Sequence, residues 1–275
     1  MTGRFRFLRT PRWIAGLVLV VAVVVTFVNL GFWQLRRLEQ RRDHNALVEE
    51  RMGVPSAPLE SVVARGDPDD ASVWRRVEAR GRYDTARQVL VRNRSLAGRP
   101  GYHVLTPLVL AGGDAVYVNR GWIPAQTDLD EPSTGEPPPA ARVHVEGLLV
   151  PGETRGGIGP RDPDSGVLDA LARADLARLQ EQSPWPVLPV VLKLDRQAPP
   201  TSGDLPVALP DPELSERNHL SYAIQWFLFA TIAGVGFPLL LRRHARDQAI
   251  GVPAEPAHSR PHPAARTGEP ATRPR

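Results

Sequence analysis

Two long apolar blocks near the ends of the chain enclose a polar body. The first, Trp13–Phe32, reads W-I-A-G-L-V-L-V-V-A-V-V-V-T-F-V-N-L-G-F, and the second runs from Leu220 to Leu241; neither contains a charged residue. About 20 apolar residues, helical at about 1.5 Å per residue, span a hydrocarbon core of about 30 Å. The first block is too long for the apolar part of a cleaved leader. It is followed by W-Q-L-R-R and not by a small-residue cleavage site, so it predicts a retained anchor. Arg242, Arg243 and Arg246 follow the second block, whereas Arg217 alone closely precedes it. Arginines flank the first block on both sides. Because cytoplasmic flanks are enriched in Lys and Arg, the second block decides the orientation: both termini cytoplasmic, the body outside. The predicted segments are a cytoplasmic N-terminus (1–12), a transmembrane helix (13–32), an extracytoplasmic domain with a helical entry (33–218), a second transmembrane helix (219–241) and a cytoplasmic tail (242–275). From about residue 250 the tail has Pro, Ala and Arg without apolar periodicity and reads as disordered.

The body shows mostly period-2 patterning. Val73, Val77, Ala79 and Tyr83 alternate on one face of a strand, and 88–94 is a second. Residues 102–110 and 115–123, joined by A-G-G-D, predict a β-hairpin whose glycines supply positive φ. Residues 142–150 and 187–195 are further strands. Leu168, Leu171, Leu176 and Leu179 recur at helical spacing, which predicts an amphipathic helix over 168–182. Residues 34–52 continue the first apolar block as a charged helix. Loops are expected over 125–140, 153–165 and 197–210. The fold class is a membrane protein with two transmembrane helices flanking a β-rich α+β domain, barrel- or sandwich-like.

Composition narrows the chemistry. The net charge is +4, and Lys193 is the only lysine; no basic run is interleaved with aromatics, so nucleic acid is not an expected partner. Without cysteine, disulfides, thiolate metal sites and covalent c-type haem attachment are excluded, and Met1 and Met52 alone cannot build a Met-rich copper site. The sequence has no G-x-S-x-G elbow and no H-E-x-x-H pair. The run starting G156-G-I-G-P lacks a following helix and reads as a loop. An enzyme is not expected.

One stretch departs from a plain anchor. The second block opens R217-N-H-L-S-Y-A-I-Q-W, and His219, Tyr222, Ala223 and Trp226 share a helical face, with Gln225 beside them. Asp211, followed by Pro212 and Glu213, predicts a helix start about two turns earlier. Two readings fit. Tyr and Trp anchor helices at the interface, where His and Asn are cheaply hydrated. Alternatively His219 is an axial ligand with an aromatic wall for a flat ring. Ala230 and Gly234 form a small-xxx-small pair against which the first block can pack. Asn29 and Trp33 would then close the patch, unless Asn29 satisfies itself on neighbouring backbone.

Four segments in order, G31-F-W-Q-L-R-R37, G101-Y-H-V-L-T-P-L108, V118-N-R-G-W122 and N218-H-L-S-Y-A-I-Q-W-F227, resemble the surfeit locus protein 1 family of cytochrome c oxidase assembly factors. The resemblance covers about residues 13–241. It implies a non-enzymatic role in maturing the haem–copper oxidase, assisting haem a insertion into subunit I. It also implies His219 as the haem a contact, with Tyr222 and Trp226 as neighbours. Cytochrome c oxidase subunit I and haem a synthase are the implied protein partners, and the bilayer is the implied setting. Trp33, Gln34, Gly101, Tyr102, Asn119, Arg120, Gly121 and Trp122 fall in the matching motifs as structural residues. Gly121 is expected at a bulge or close backbone approach. For Arg120, haem propionates, a protein partner and a surface ion pair are open alternatives. His103 and His144 are further isolated candidates. A scaffold that grips oxidase subunits without haem, and an extracytoplasmic enzyme, are the competing classes.

Overall fold

The computed structural model describes residues 10–63, 72–125, 135–154 and 159–250. Expectations for the extreme N-terminus, the middle of the 125–140 loop, the loop around Gly156 and the tail beyond residue 250 lie outside them. The chain divides into two compact units, residues 1–39 with 217–275, and residues 40–216.

The first unit pairs α1 (Pro11–Met52), up to residue 39, with α4 (His219–Ile250). Both helices are long and apolar enough to cross a membrane. At about 1.5 Å per residue, α1 would be about 63 Å long, twice a hydrocarbon core. The helices run antiparallel, since contacts descend along α4 as they ascend along α1. Trp13 meets Phe237, Phe27 meets Trp226 and Phe229, Gly31 meets Phe227, and Gln34 meets His219. Small residues permit this approach. Ala223 and Ala230 are buried, and a Cβ at Gly31 would lie 2.7 Å from the Phe227 ring. Polar side chains within the spans return to their own backbone: Asn29 Nδ2 donates to Val25 O, Thr26 to Ala22 O and Thr231 to Phe227 O. Such pairing is what an apolar solvent demands.

Among its described residues, the second unit forms one eight-stranded sheet. Its strands are β1 (Ala57–Pro58), β2 (Arg76–Tyr83), β3 (Val89–Leu96), β4 (Arg99–Leu110), β5 (Ala115–Pro124), β6 (Val143–Pro151), β7 (Ala170–Leu171) and β8 (Val187–Ala198), with the one-turn helix α2 (Leu59–Val62) following β1. They are ordered β1-β2-β6-β8-β5-β4-β3-β7, and β2 also pairs with β4. The pairings β2–β6–β8–β5–β4–β2 therefore close on themselves. All five strands send alternate residues into one buried cluster, among them Val77, Leu108, Val118, Val145 and Leu192. β4 and β5 form the expected hairpin, turned at Gly113 with φ +85°. A second apolar cluster lies beneath α3 (Leu176–Glu181), built on Leu171, Leu179 and Tyr117.

Two expectations fail here. The helix over 168–182 shrinks to Leu176–Glu181, because Ala170–Leu171 pair in parallel with Leu90–Val91 of β3. Asp175 then caps the short helix, accepting from the backbone N–H groups of Ala177 and Arg178. Leu168 and Leu171 fit a strand as well as a helix, so their spacing could not discriminate. The helix start at Asp211 is also absent. The Asp211 carboxylate instead accepts from Lys193 Nζ and Arg76 Nη2, each at 2.8 Å, and α4 begins only at His219.

The segment preceding α4 is tied down within this unit. Lys193, itself buried, also donates to Asp195 at 2.7 Å, and Arg76 to Asp195 at 2.6 Å. Two cations and two carboxylates thus link β2, β8 and the segment at Asp211. Arg42 and Asn45, on the last turns of α1, bind Glu216 and Leu214 O.

Candidate functional site at the head of the helix pair

His219 opens α4, and its Nδ1 lies 2.9 Å from Gln34 Oε1. An amide oxygen can only accept, so Nδ1 donates, and in the neutral ring Nε2 is then the nitrogen with the lone pair. That is the tautomer a histidine uses to ligate a metal through Nε2, with its other nitrogen held by an oriented acceptor. Gln34 is placed by helical phase. Phe27, Gly31 and Gln34, at i, i+4 and i+7, form the α4-facing stripe of α1. The Phe227 ring lying on Gly31, where a side chain would obstruct, allows the closeness that lets Gln34 reach across.

Around this pair the aromatic residues separate by depth. Trp226 turns inward, its ring 5.3 Å from Phe27 and 6.1 Å from Phe229. Tyr222 does not share the inward face with His219 and Ala223 but stands 49% exposed on its flank. Trp33 is 44% exposed beneath the Arg37 guanidinium. Asn29 and Trp33 do not close the patch; Gln34 and Phe27 do. The partner of His219 was thus missed, although Gln34 is the polar residue that ends an apolar stripe.

The other motif residues lie in the β unit. Gly101 carries no side chain because the Trp122 indole occupies that space, and Arg99 stacks on the same indole at 5.3 Å. Trp122 is buried, and Tyr102 packs beside Leu90, Val104 and Ile123. Arg120 is the extra residue of a β-bulge, since Val104 faces Gly121 and Leu105 faces Asn119. It is not a surface residue. Buried at 4% exposure, it donates to Gln88 Oε1 and Glu136 O and lies over the Tyr83 ring. Burial holds its pKa below the usual arginine value. Gly121 follows at φ +135°, and its N–H donates to Asn119 Oδ1.

Asn119 Nδ2 also approaches His103 Nδ1 at 3.3 Å. Burial, with the nearby Arg94, pushes the His103 pKa down to about 4. The ring is neutral at ordinary pH. His144 pairs with Glu78 at 2.9 Å. Among the described residues, no three His, Cys, Asp or Glu side chains are grouped to hold a metal ion. A surface cleft of about 620 Å³ is lined by Arg82, Tyr83, Asp84, Arg142 and Trp185, among others, but it shares no residue with the four motif segments.

Comparison with known proteins adds ancestry to this geometry. The model of the SURF1 family matches residues 21–231. An uncharacterized SURF1-like protein of Mycobacterium bovis is 28% identical over 92% of this chain and 93% of its own. Surfeit locus protein 1 of Arabidopsis thaliana is 25% identical over 86% of this chain and 80% of its own. The cytochrome oxidase assembly protein SHY1 of Saccharomyces cerevisiae is 28% identical over 58% of this chain and 42% of its own.

Proposed function

The chain belongs to the SURF1 family, and on that premise we propose that it is a membrane-anchored assembly factor for cytochrome c oxidase that holds haem a at His219 on its way to subunit I. The named role of the yeast relative supports the oxidase. The two apolar helices, with most of their surface free of protein contacts, support anchoring by both α1 and α4. The arginines after α4 support cytoplasmic termini in the cell membrane.

The observation that carries the haem reading is the Gln34–His219 pair. His219 would hold the haem iron through Nε2, the nitrogen left with a lone pair when the neutral ring donates from Nδ1 to Gln34. The residues fit such a group. Trp226 and Phe27, further along the same helix pair, stack as an aromatic floor, and Trp33 and Tyr222 are exposed rings next in sequence to Gln34 and Ala223. A ligand held by one imidazole, with no covalent attachment, can be handed on. Subunit I is the natural acceptor and haem a synthase the natural donor in this scheme.

The test is a strain lacking this gene. The a-type haem absorption of its membranes and its oxidase activity should both fall while other cytochromes persist. Unchanged values in cells that rely on an a-type oxidase would contradict the proposal. Restored activity from a His219→Ala copy, at normal protein level, would leave a scaffold that assists assembly without holding haem.

A further inference from the structure

Most arginines of the β unit have a fixed partner; Arg76 binds Asp195 and Asp211, and Arg92 binds Asp162. Arg80, Arg82 and Arg142 break the pattern. All three are exposed, and among the described residues none has a hydrogen-bond or ion-pair partner. They also share one face. Val77, Ala79 and Tyr83 enter the buried cluster, so Arg80 and Arg82 point outward from β2; Val143 and Val145 do the same on β6 and turn Arg142 outward. The β2–β6 ladder ends at Gly81 with Val143, and Arg82 and Arg142 stand one step past that rung. Like charges so placed destabilise a sheet, and no carboxylate is bound to either.

Arg82 and Arg142 line the surface cleft of about 620 Å³, together with Val109 of β4 and Trp185. Trp185 is 36% exposed yet held in place. Its backbone N–H donates to Ser183 Oγ, its carbonyl accepts from Gln180 Nε2, and its indole N–H donates to Asp84 Oδ2. Asp84 is the one carboxylate lining the cleft among the described residues, and Arg87 already binds it at 3.0 Å. The cleft thus offers a fixed indole, an apolar contact at Val109 and two cations without a counter-ion.

We infer that this cleft docks an extended acidic segment of a protein partner, with carboxylates on Arg82 and Arg142 and an apolar side chain against Trp185. A guanidinium takes a carboxylate through two parallel N–H groups, and clustered arginines are a recurring reader of acidic peptides. Arg80 continues the cations beyond the cleft. It lies two residues back from Arg82 along β2, about 6.6 Å, which is the spacing of alternate side chains in an extended chain. A compact anion would fill the cleft and leave Arg80 unused. Glu60 lines a separate recess with Arg80 but forms no ion pair with it. That the partner is a protein rests on the reading of the chain as an assembly factor; the anionic chemistry rests on the cleft alone.

The full-length protein in non-ionic detergent is titrated calorimetrically at low salt with the peptide acetyl-EAEFEAE-amide and with its glutamine counterpart, acetyl-QAQFQAQ-amide. The acidic peptide should bind at least tenfold more tightly. Arg82→Gln should weaken it about tenfold, with no fall in Tm, because the change also relieves the repulsion with Arg142. Arg161→Gln, which removes an exposed charge lining a different recess, should leave it unchanged. Equal affinity for the two peptides, unaltered binding in Arg82→Gln, or an equal loss in Arg161→Gln overturns the inference. Glycerol 3-phosphate that displaces the peptide at equal concentration would assign the cleft to a small phosphate and overturn it as well. Each of these leaves the oxidase role standing, which the deletion strain tests by itself.

Discussion

Replacing Gly121 by Ala tests how the N-R-G-W motif acts. Gly121 adopts φ +135°, and a Cβ there would collide with Val207 O and lie 2.9 Å from Val207 C. Val207 is bound to the neighbouring Trp122 by a reciprocal pair of hydrogen bonds, N to O in both directions at 2.8 Å. An alanine must hold a backbone conformation that costs about 1–3 kcal/mol for any residue with a Cβ. It must also displace Val207, giving up two hydrogen bonds of about 1 kcal/mol each. The sum is about 3–5 kcal/mol. For a domain of this size that lowers Tm by roughly 6–20 °C. Gly113→Ala is the control. Gly113 has φ +85°, but a Cβ there would meet nothing within 4 Å, so only the strain of about 1 kcal/mol applies. Thermal unfolding of the full-length protein in detergent, followed by near-ultraviolet circular dichroism, separates the two. A Gly121→Ala melt no lower than that of Gly113→Ala would refute the reasoning.

Three further outcomes are expected. The folded pKa of His103 is about 4 against a usual 6.5, so the unfolded chain binds a proton that the fold refuses between those values. This contribution to stability is complete above about pH 6.5 and is lost as pH falls toward 4. The shift bounds it at about 3 kcal/mol, and partial solvent access reduces it to about 1–2; denaturant melts of His103→Gln should show a flatter pH profile over that window. Lys193→Met removes a buried cation from two carboxylates and leaves Arg76 as their only charged partner among the described residues. Equilibrium unfolding should show a loss of about 2–4 kcal/mol, and no loss would mean that the network is energetically idle. Because the chain has no cysteine, Val24→Cys with Gly234→Cys should cross-link readily on oxidation, a Cβ at 234 lying 4.0 Å from Val24 Cγ2. Adding Gly31→Leu, which pushes against Phe227, should cut the yield.

The legible parts of the fold are those where one period governs burial. The two apolar blocks and the β4–β5 hairpin follow directly from hydrophobic runs and alternation. Leu168 and Leu171 misled because their spacing fits a helix, while their burial comes from pairing beside β3. Asp211 misled because a local cap signal lost to Lys193 and Arg76, whose approach depends on the sheet. The candidate site was half legible. His219 stood out as a polar residue opening an apolar span. Its partner Gln34 is 185 positions away, and no local pattern connects them. For Arg120 three readings stay open in the sequence, because its cover, the carbonyl of Glu136, comes from a loop without periodicity.

The central claim is that His219, held by Gln34, binds haem a. Its most direct measurement is the haem content of the full-length protein purified from membranes that make haem a, compared with His219→Ala expressed to the same level. Haem a should accompany the wild-type protein with an axial-histidine spectrum, and both should be lost in the variant. Equal haem a in the two preparations, or none in either, would contradict the claim.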